Sequence, residues 1–132
     1  MIFTSYFGCK FIKELHMPLV SVSLSKPAEM TCKRFLALAP SREMIDLAHA
    51  GRADEYTDLY TSHVLSRLDP VDTYRELDGS LLLCWEKPGK FCHRHLIASW
   101  LEEAVGIPVL ELDEAAAAAL NTLEALQARR IA

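Results

Sequence analysis

The apolar positions along this chain change spacing several times, and each change marks an element. Residues 1–7, Met-Ile-Phe-Thr-Ser-Tyr-Phe, are aromatic and β-branched and predict a strand ending at Gly8. Lys10 to His16 predicts a short helix with Phe11, Ile12 and Leu15 on one face. In residues 19–24 Val20, Val22 and Leu24 alternate with serines, which suits a second strand with one less-buried face or an edge position, stopped by Lys26-Pro27. The middle, residues 41–78, is helical in pattern. Ser41 is an N-cap ahead of Met44, Leu47 and Ala48, and Gly51 closes that helix. Tyr56, Leu59, Tyr60, His63 and Val64 form a full helical stripe, ended by Asp69-Pro70. A shorter helix then runs from Val71 to Leu77.

Residues 80–86, Ser-Leu-Leu-Leu-Cys-Trp-Glu, are continuously apolar between turn signals and predict a strand buried on both faces. After Pro88-Gly89, residues 94–105 predict a helix with Ile97, Trp100, Leu101 and Ala104 inward and Gly106 as its C-terminal cap. Residues 109–112 predict a last strand. Asp113-Glu114 opens a final helix through the alanine run, with Arg129-Arg130 complementing its dipole.

Strands alternating with helices imply right-handed crossovers and a parallel sheet covered on both faces. The expected fold is a three-layer, Rossmann-like α/β domain with a small, mostly parallel sheet of about four strands, ordered 2-1-3-4 and flanked by helices. Residues 1–132 form a single domain in this reading.

Composition narrows the function classes. The chain has 14 Lys+Arg against 18 Asp+Glu, a net charge of −4, which argues against strong non-specific nucleic-acid binding. No run of apolar residues is long enough to span a bilayer, and the N-terminal stretch lacks the basic flank of a signal peptide. A cytoplasmic protein is expected. Its four cysteines, Cys9, Cys32, Cys84 and Cys92, are expected to be reduced thiols, because a chain of this length needs no cross-link to fold. Cys9 and Cys32 read as incidental.

The common catalytic and nucleotide-binding motifs are absent, but one segment concentrates reactive side chains. Residues 84–95, Cys-Trp-Glu-Lys-Pro-Gly-Lys-Phe-Cys-His-Arg-His, follow the most buried strand and lead into a helix. They lie at the carboxyl edge of the sheet, where open α/β folds bind ligands. Strand alternation places Cys84 and Glu86 on one face, with Leu83 and Trp85 on the other. Cys92, His93 and Arg94 meet the first turn of the helix, where the dipole favours anions. Lys87, Lys90 and Arg94 add positive charge that would hold a phosphate or carboxylate and favour a Cys92 thiolate.

Three functional readings follow. Cys92 or Cys84 is a nucleophile, with Glu86 or His93 as acid–base partner. Alternatively, Cys84, Cys92 and His93 or His95 bind a metal; zinc suits such donors, although the spacing matches no standard finger and no cofactor is otherwise expected. In the third, the helix terminus binds an anion without catalysis. A purely structural account makes both cysteines packing residues and Glu86–Arg94 an ion pair. Supporting hydrogen bonds to a ligand are expected from Thr4 or Tyr6, at the tip of the first strand, whereas His63 reads as a hydrogen-bonded core or edge residue. The leading expectation is a small enzyme acting on an anionic, nucleotide-like substrate. The alternative is a binding module with a metal site or an anion or partner pocket.

Residues 82–86, Leu-Leu-Cys-Trp-Glu, and 91–101, Phe-Cys-His-Arg-His-Leu-Ile-Ala-Ser-Trp-Leu, resemble the signature of the bacterial and phage family named "domain of unknown function 488". The resemblance extends to Thr4-Ser5-Tyr6-Phe7-Gly8, Leu38-Ala39-Pro40 and Tyr60 through Leu65, and covers about residues 2–110. It implies functional importance for Cys84, Glu86, Cys92, His93 and Arg94 but no defined activity. Longer members carry Asp-x-Arg after the second strand, where this chain has Val20-Ser21-Val22-Ser23.

Overall fold

A computed structural model describes residues 1–131. Strands β1 (Phe3–Tyr6), β2 (Leu19–Ser21), β3 (Lys33–Arg34), β4 (Leu81–Cys84) and β5 (Leu110–Glu111) form one sheet, and every pairing in it is parallel. The α-helices are α1 (Arg42–His49), α2 (Ala53–His63), α3 (Pro70–Leu77), α4 (His93–Val105) and α5 (Glu114–Ile131). The expected three-layer α/β architecture is present, with five strands instead of four.

The strand order is β3-β2-β4-β1-β5. Numbering the four anticipated strands along the chain gives 2-3-1-4, which corrects the expected 2-1-3-4. Both orders place β4, whose four residues are all withdrawn from water, between two neighbours; they differ in which neighbours these are. β4 lies between β1, in register Phe3 with Leu81 through Tyr6 with Cys84, and β2, in register Leu19 with Leu81. The last strand is fastened to β1 instead of β4, through Thr4 Oγ1 to Glu111 and Ser5 Oγ to the Leu112 carbonyl. The unanticipated β3 is an exposed two-residue edge strand, Lys33-Arg34, whose charges show no strand periodicity and discourage further pairing.

Side-chain alternation on β4 divides the core. Leu82 and Cys84 pack with Val20, Val22, Tyr60, Ile97 and Leu101 beneath α1 to α4. Leu81 and Leu83 pack on the opposite face with Ile12, Leu15, Met30 and Ala117. That second face is covered by α5 and by the segment between β1 and β2, where the anticipated helix is a single 3-10 turn, Ile12–Glu14. Phe11 begins that turn at φ 74° and is exposed, so it does not join Ile12 and Leu15 inward.

Local capping matches the expectation at Ser41 and Gly106, while Asp69, expected to end the preceding helix, is also the N-cap of α3. Ser41 accepts a hydrogen bond from the Met44 N–H at 3.3 Å, and Asp69 accepts one from the Asp72 N–H at 2.9 Å. Gly106 takes φ 72° at the end of α4. Among the described residues no helix is long and apolar enough to cross a membrane.

Candidate functional site

Three elements converge at the carboxyl edge of the sheet. β4 ends at Cys84, the loop 85–91 turns over the edge, and Cys92 stands at the N-cap of α4 without a side-chain capping bond. The chain beyond β2 passes on one side, carrying Ser23 and Ser25. Between these segments and α1 lies a cleft of about 260 Å³. Cys84, Cys92 and His93 form its inner wall, with Arg42, His49 and Glu86 among the other lining residues.

The two cysteines face each other with their sulfurs in bonding contact. This corrects the expectation of four free thiols; Cys9 and Cys32 alone are free. The physical reason is topological: the strand end and the helix start are adjacent in space although eight residues separate them in sequence. Their Cα atoms are 7.7 Å apart, beyond the roughly 4.4–6.8 Å that disulfides usually span. That backbone spacing suits two sulfurs directed at a shared point.

His93 completes the cluster. Its Nε2 lies 2.7 Å from the Val22 carbonyl oxygen. A carbonyl can only accept, so Nε2 carries the proton and Nδ1 keeps a free lone pair. Nδ1 lies 3.9 Å from Cys92 Sγ. Burial holds the imidazole down at about 4, so it is neutral at physiological pH. The Tyr60 ring packs edge-on against it at 5.5 Å, while the Tyr60 hydroxyl donates to the Leu38 carbonyl at 2.6 Å. Tyr60 therefore positions the imidazole through its ring, and its hydroxyl lies elsewhere.

Arg94 is placed differently from the ligand-facing position expected of it. It is 0% exposed, and its guanidinium grips Glu111 in a fork, Nε to Oε1 at 2.9 Å and Nη2 to Oε2 at 2.7 Å. Nη1 donates to the Glu86 carbonyl at 2.6 Å and to Cys84 Sγ at 3.2 Å. The anticipated Glu86–Arg94 pairing thus runs through the backbone of Glu86, whose side chain is exposed. Thr4 Oγ1 donates to Glu111 Oε1 at 2.6 Å, and Tyr6 OH lies 3.4 Å from Glu114 Oε1. Both hydroxyls serve protein carboxylates. Burial pushes Glu111 up, but the bonds from Arg94 and Thr4 outweigh it and hold the carboxyl below its ordinary value.

The remaining candidates are dispersed. Lys87 and Lys90 are exposed, with Lys87 lining a second, broader cavity on the far side of Trp85. The Trp85 indole donates to the Ser25 carbonyl at 3.1 Å and borders both cavities. His95 is outside the group formed by Cys84, Cys92 and His93, whose donor atoms all lie within 4.8 Å of one another. His63 is exposed on α2, with Nδ1 3.2 Å from the Leu59 carbonyl oxygen.

Glu111 and Arg42 are the two site residues that the local sequence pattern does not mark. Glu111 could have been noticed as a lone carboxylate inside an otherwise apolar strand, but nothing local pairs it with Arg94. Arg42 reads as an ordinary exposed residue in the first turn of α1, and only the fold brings it to the cleft. Comparison of the chain with family models, curated proteins and solved structures finds no match.

Proposed function

We propose that the protein is a small enzyme acting through the Cys84–Cys92 pair on an anionic substrate held in the carboxyl-edge cleft. The observation that carries this reading is the meeting of two buried sulfurs on the wall of that cleft, beside a histidine with a fixed tautomer. In the reduced protein Cys92 is the nucleophile. His93 Nδ1, 3.9 Å from its sulfur, faces the thiol as a neutral neighbour that orients it. Arg42, exposed and outside any ion pair among the described residues, supplies the positive charge that Arg94 cannot, with the uncapped start of α4 adding its dipole. Membership of the family named "domain of unknown function 488" and residence in the reducing cytoplasm belong to this proposal. The Cys-x-Glu and Cys-His-Arg residues support the first, and a thiol-dependent activity suits the second.

The test compares alkylation by anionic iodoacetate with alkylation by neutral iodoacetamide in reduced, metal-free protein. Cys92 is expected to favour iodoacetate several-fold relative to Cys32, and inorganic phosphate should protect it. The same reagent ratio at Cys92 and Cys32, without phosphate protection, would rule the reading out.

A further inference from the structure

We infer that Cys84 Sγ, Cys92 Sγ and His93 Nδ1 form a binding site for a thiophilic divalent cation of the zinc class, with the fourth coordination position open to the cleft. All three residues are buried, and their donor atoms lie within 4.8 Å of one another. Around a tetrahedral zinc, donors bound at about 2.0–2.3 Å sit roughly 3.5 Å apart, so these side chains need only small rotations. The 7.7 Å between the two Cα atoms suits sulfurs held by an intervening atom.

The surroundings are organised as a metal site requires. The Val22 carbonyl takes the Nε2 proton, which turns the unprotonated Nδ1 toward the sulfurs; metal-binding histidines are commonly oriented by such a contact. Arg94 Nη1 points at Cys84 Sγ from 3.2 Å, a donor to a ligating sulfur. Two thiolates and one dication sum to zero charge, so the filled site leaves no net charge buried with the neutral imidazole. Two sulfurs and an imidazole select zinc-class ions over magnesium or calcium. The ligands sit on a strand end and a helix start, which fixes their backbone. Three protein ligands with the fourth side facing a cleft is the arrangement of an open zinc site.

Binding requires both cysteines as thiolates, so the disulfide and the metal are exclusive states of one pair. The inference rests on the cleft reading only for what faces the fourth position. It adds a control on that site, because a bound cation masks the thiols.

Equilibrium dialysis of the reduced full chain against zinc, with elemental analysis, should give one zinc per chain. Cys84→Ser and Cys92→Ser should each weaken binding about a hundredfold, and His93→Gln about tenfold. Because His93 and Cys84 are buried and their variants can misfold, the wild-type protein supplies an independent readout. Zinc should protect Cys84 and Cys92 from iodoacetamide, mapped by peptide mass, and leave Cys32 unprotected. No zinc above background in the reduced wild type, or zinc retained after both cysteines are alkylated, would overturn the site. The iodoacetate comparison uses metal-free protein, so failure of the thiol reading and failure of the metal site are separable.

Discussion

Two buried polar clusters lie within a few ångströms of each other at the carboxyl edge of this sheet, and they differ in how fully they are satisfied. Around Arg94, donors and acceptors are matched: Glu111 takes the guanidinium fork, Thr4 donates to the same carboxylate, and the Glu86 carbonyl takes another N–H. Around Cys84 and Cys92 the partners are poorer. His93 Nδ1 has only a long contact to sulfur, and both sulfurs border a cleft. A saturated network holds β1, β4, α4 and β5 together and has nothing left for a ligand. An unsaturated one retains chemical capacity. The contrast teaches that proximity to a ligand edge does not make a charged residue a binding residue, since Arg94 and Cys92 are only two positions apart in sequence.

The largest test of this contrast removes the saturated centre. Arg94→Met should strand Glu111 and lower unfolding free energy by about 3–5 kcal/mol in chemical denaturation, as loss of one partner from a buried pair does. A cost below about 1 kcal/mol would show that the network is not structural. Next in size, Glu111→Gln should cost about 2 kcal/mol at neutral pH by weakening charged hydrogen bonds. The wild type should also be acid-labile through this residue. Because the folded Glu111 carboxyl is held below its unfolded value of about 4.3, its stabilisation is complete above that pH and is lost as pH falls through the lowered folded value. The stability of Glu111→Gln should therefore decline less than that of the wild type as pH falls below about 4.3; parallel curves would contradict the assignment. The smallest effect belongs to the other cluster. In reduced, metal-free protein, Cys92→Ala should cost only about 1 kcal/mol while abolishing preferential iodoacetate reactivity. A loss as large as that of Arg94→Met would make Cys92 a structural residue and erase the contrast.

Much of this arrangement is legible in the sequence. The helix start at Ser41, the stop at Gly106 and the buried strand 81–84 follow from local chemistry, because a cap, a positive-φ glycine or an unbroken apolar run acts within a few residues. The nomination of Cys84, Cys92 and His93 was legible too, since strand end, loop and helix start are contiguous. The two-residue β3 was not, because Lys33-Arg34 carries no period that could announce it. Nor was the order of the strands, which depends on which strands pair across the whole chain: β1 takes both β4 and β5 as neighbours.

By itself the sequence determined the α-helices, the main strands and which segment carries reactive side chains; those signals are periodic or contiguous. Only the tertiary structure decided what each charge does. Arg94 finds Glu111 17 positions away and Thr4 finds it 107 positions away, and both contacts exist because β1 lies between β4 and β5. The same packing turns His93 onto the Val22 carbonyl and so leaves its other nitrogen facing the sulfurs. Such pairings arise from burial shared across the whole chain, and no local pattern encodes them.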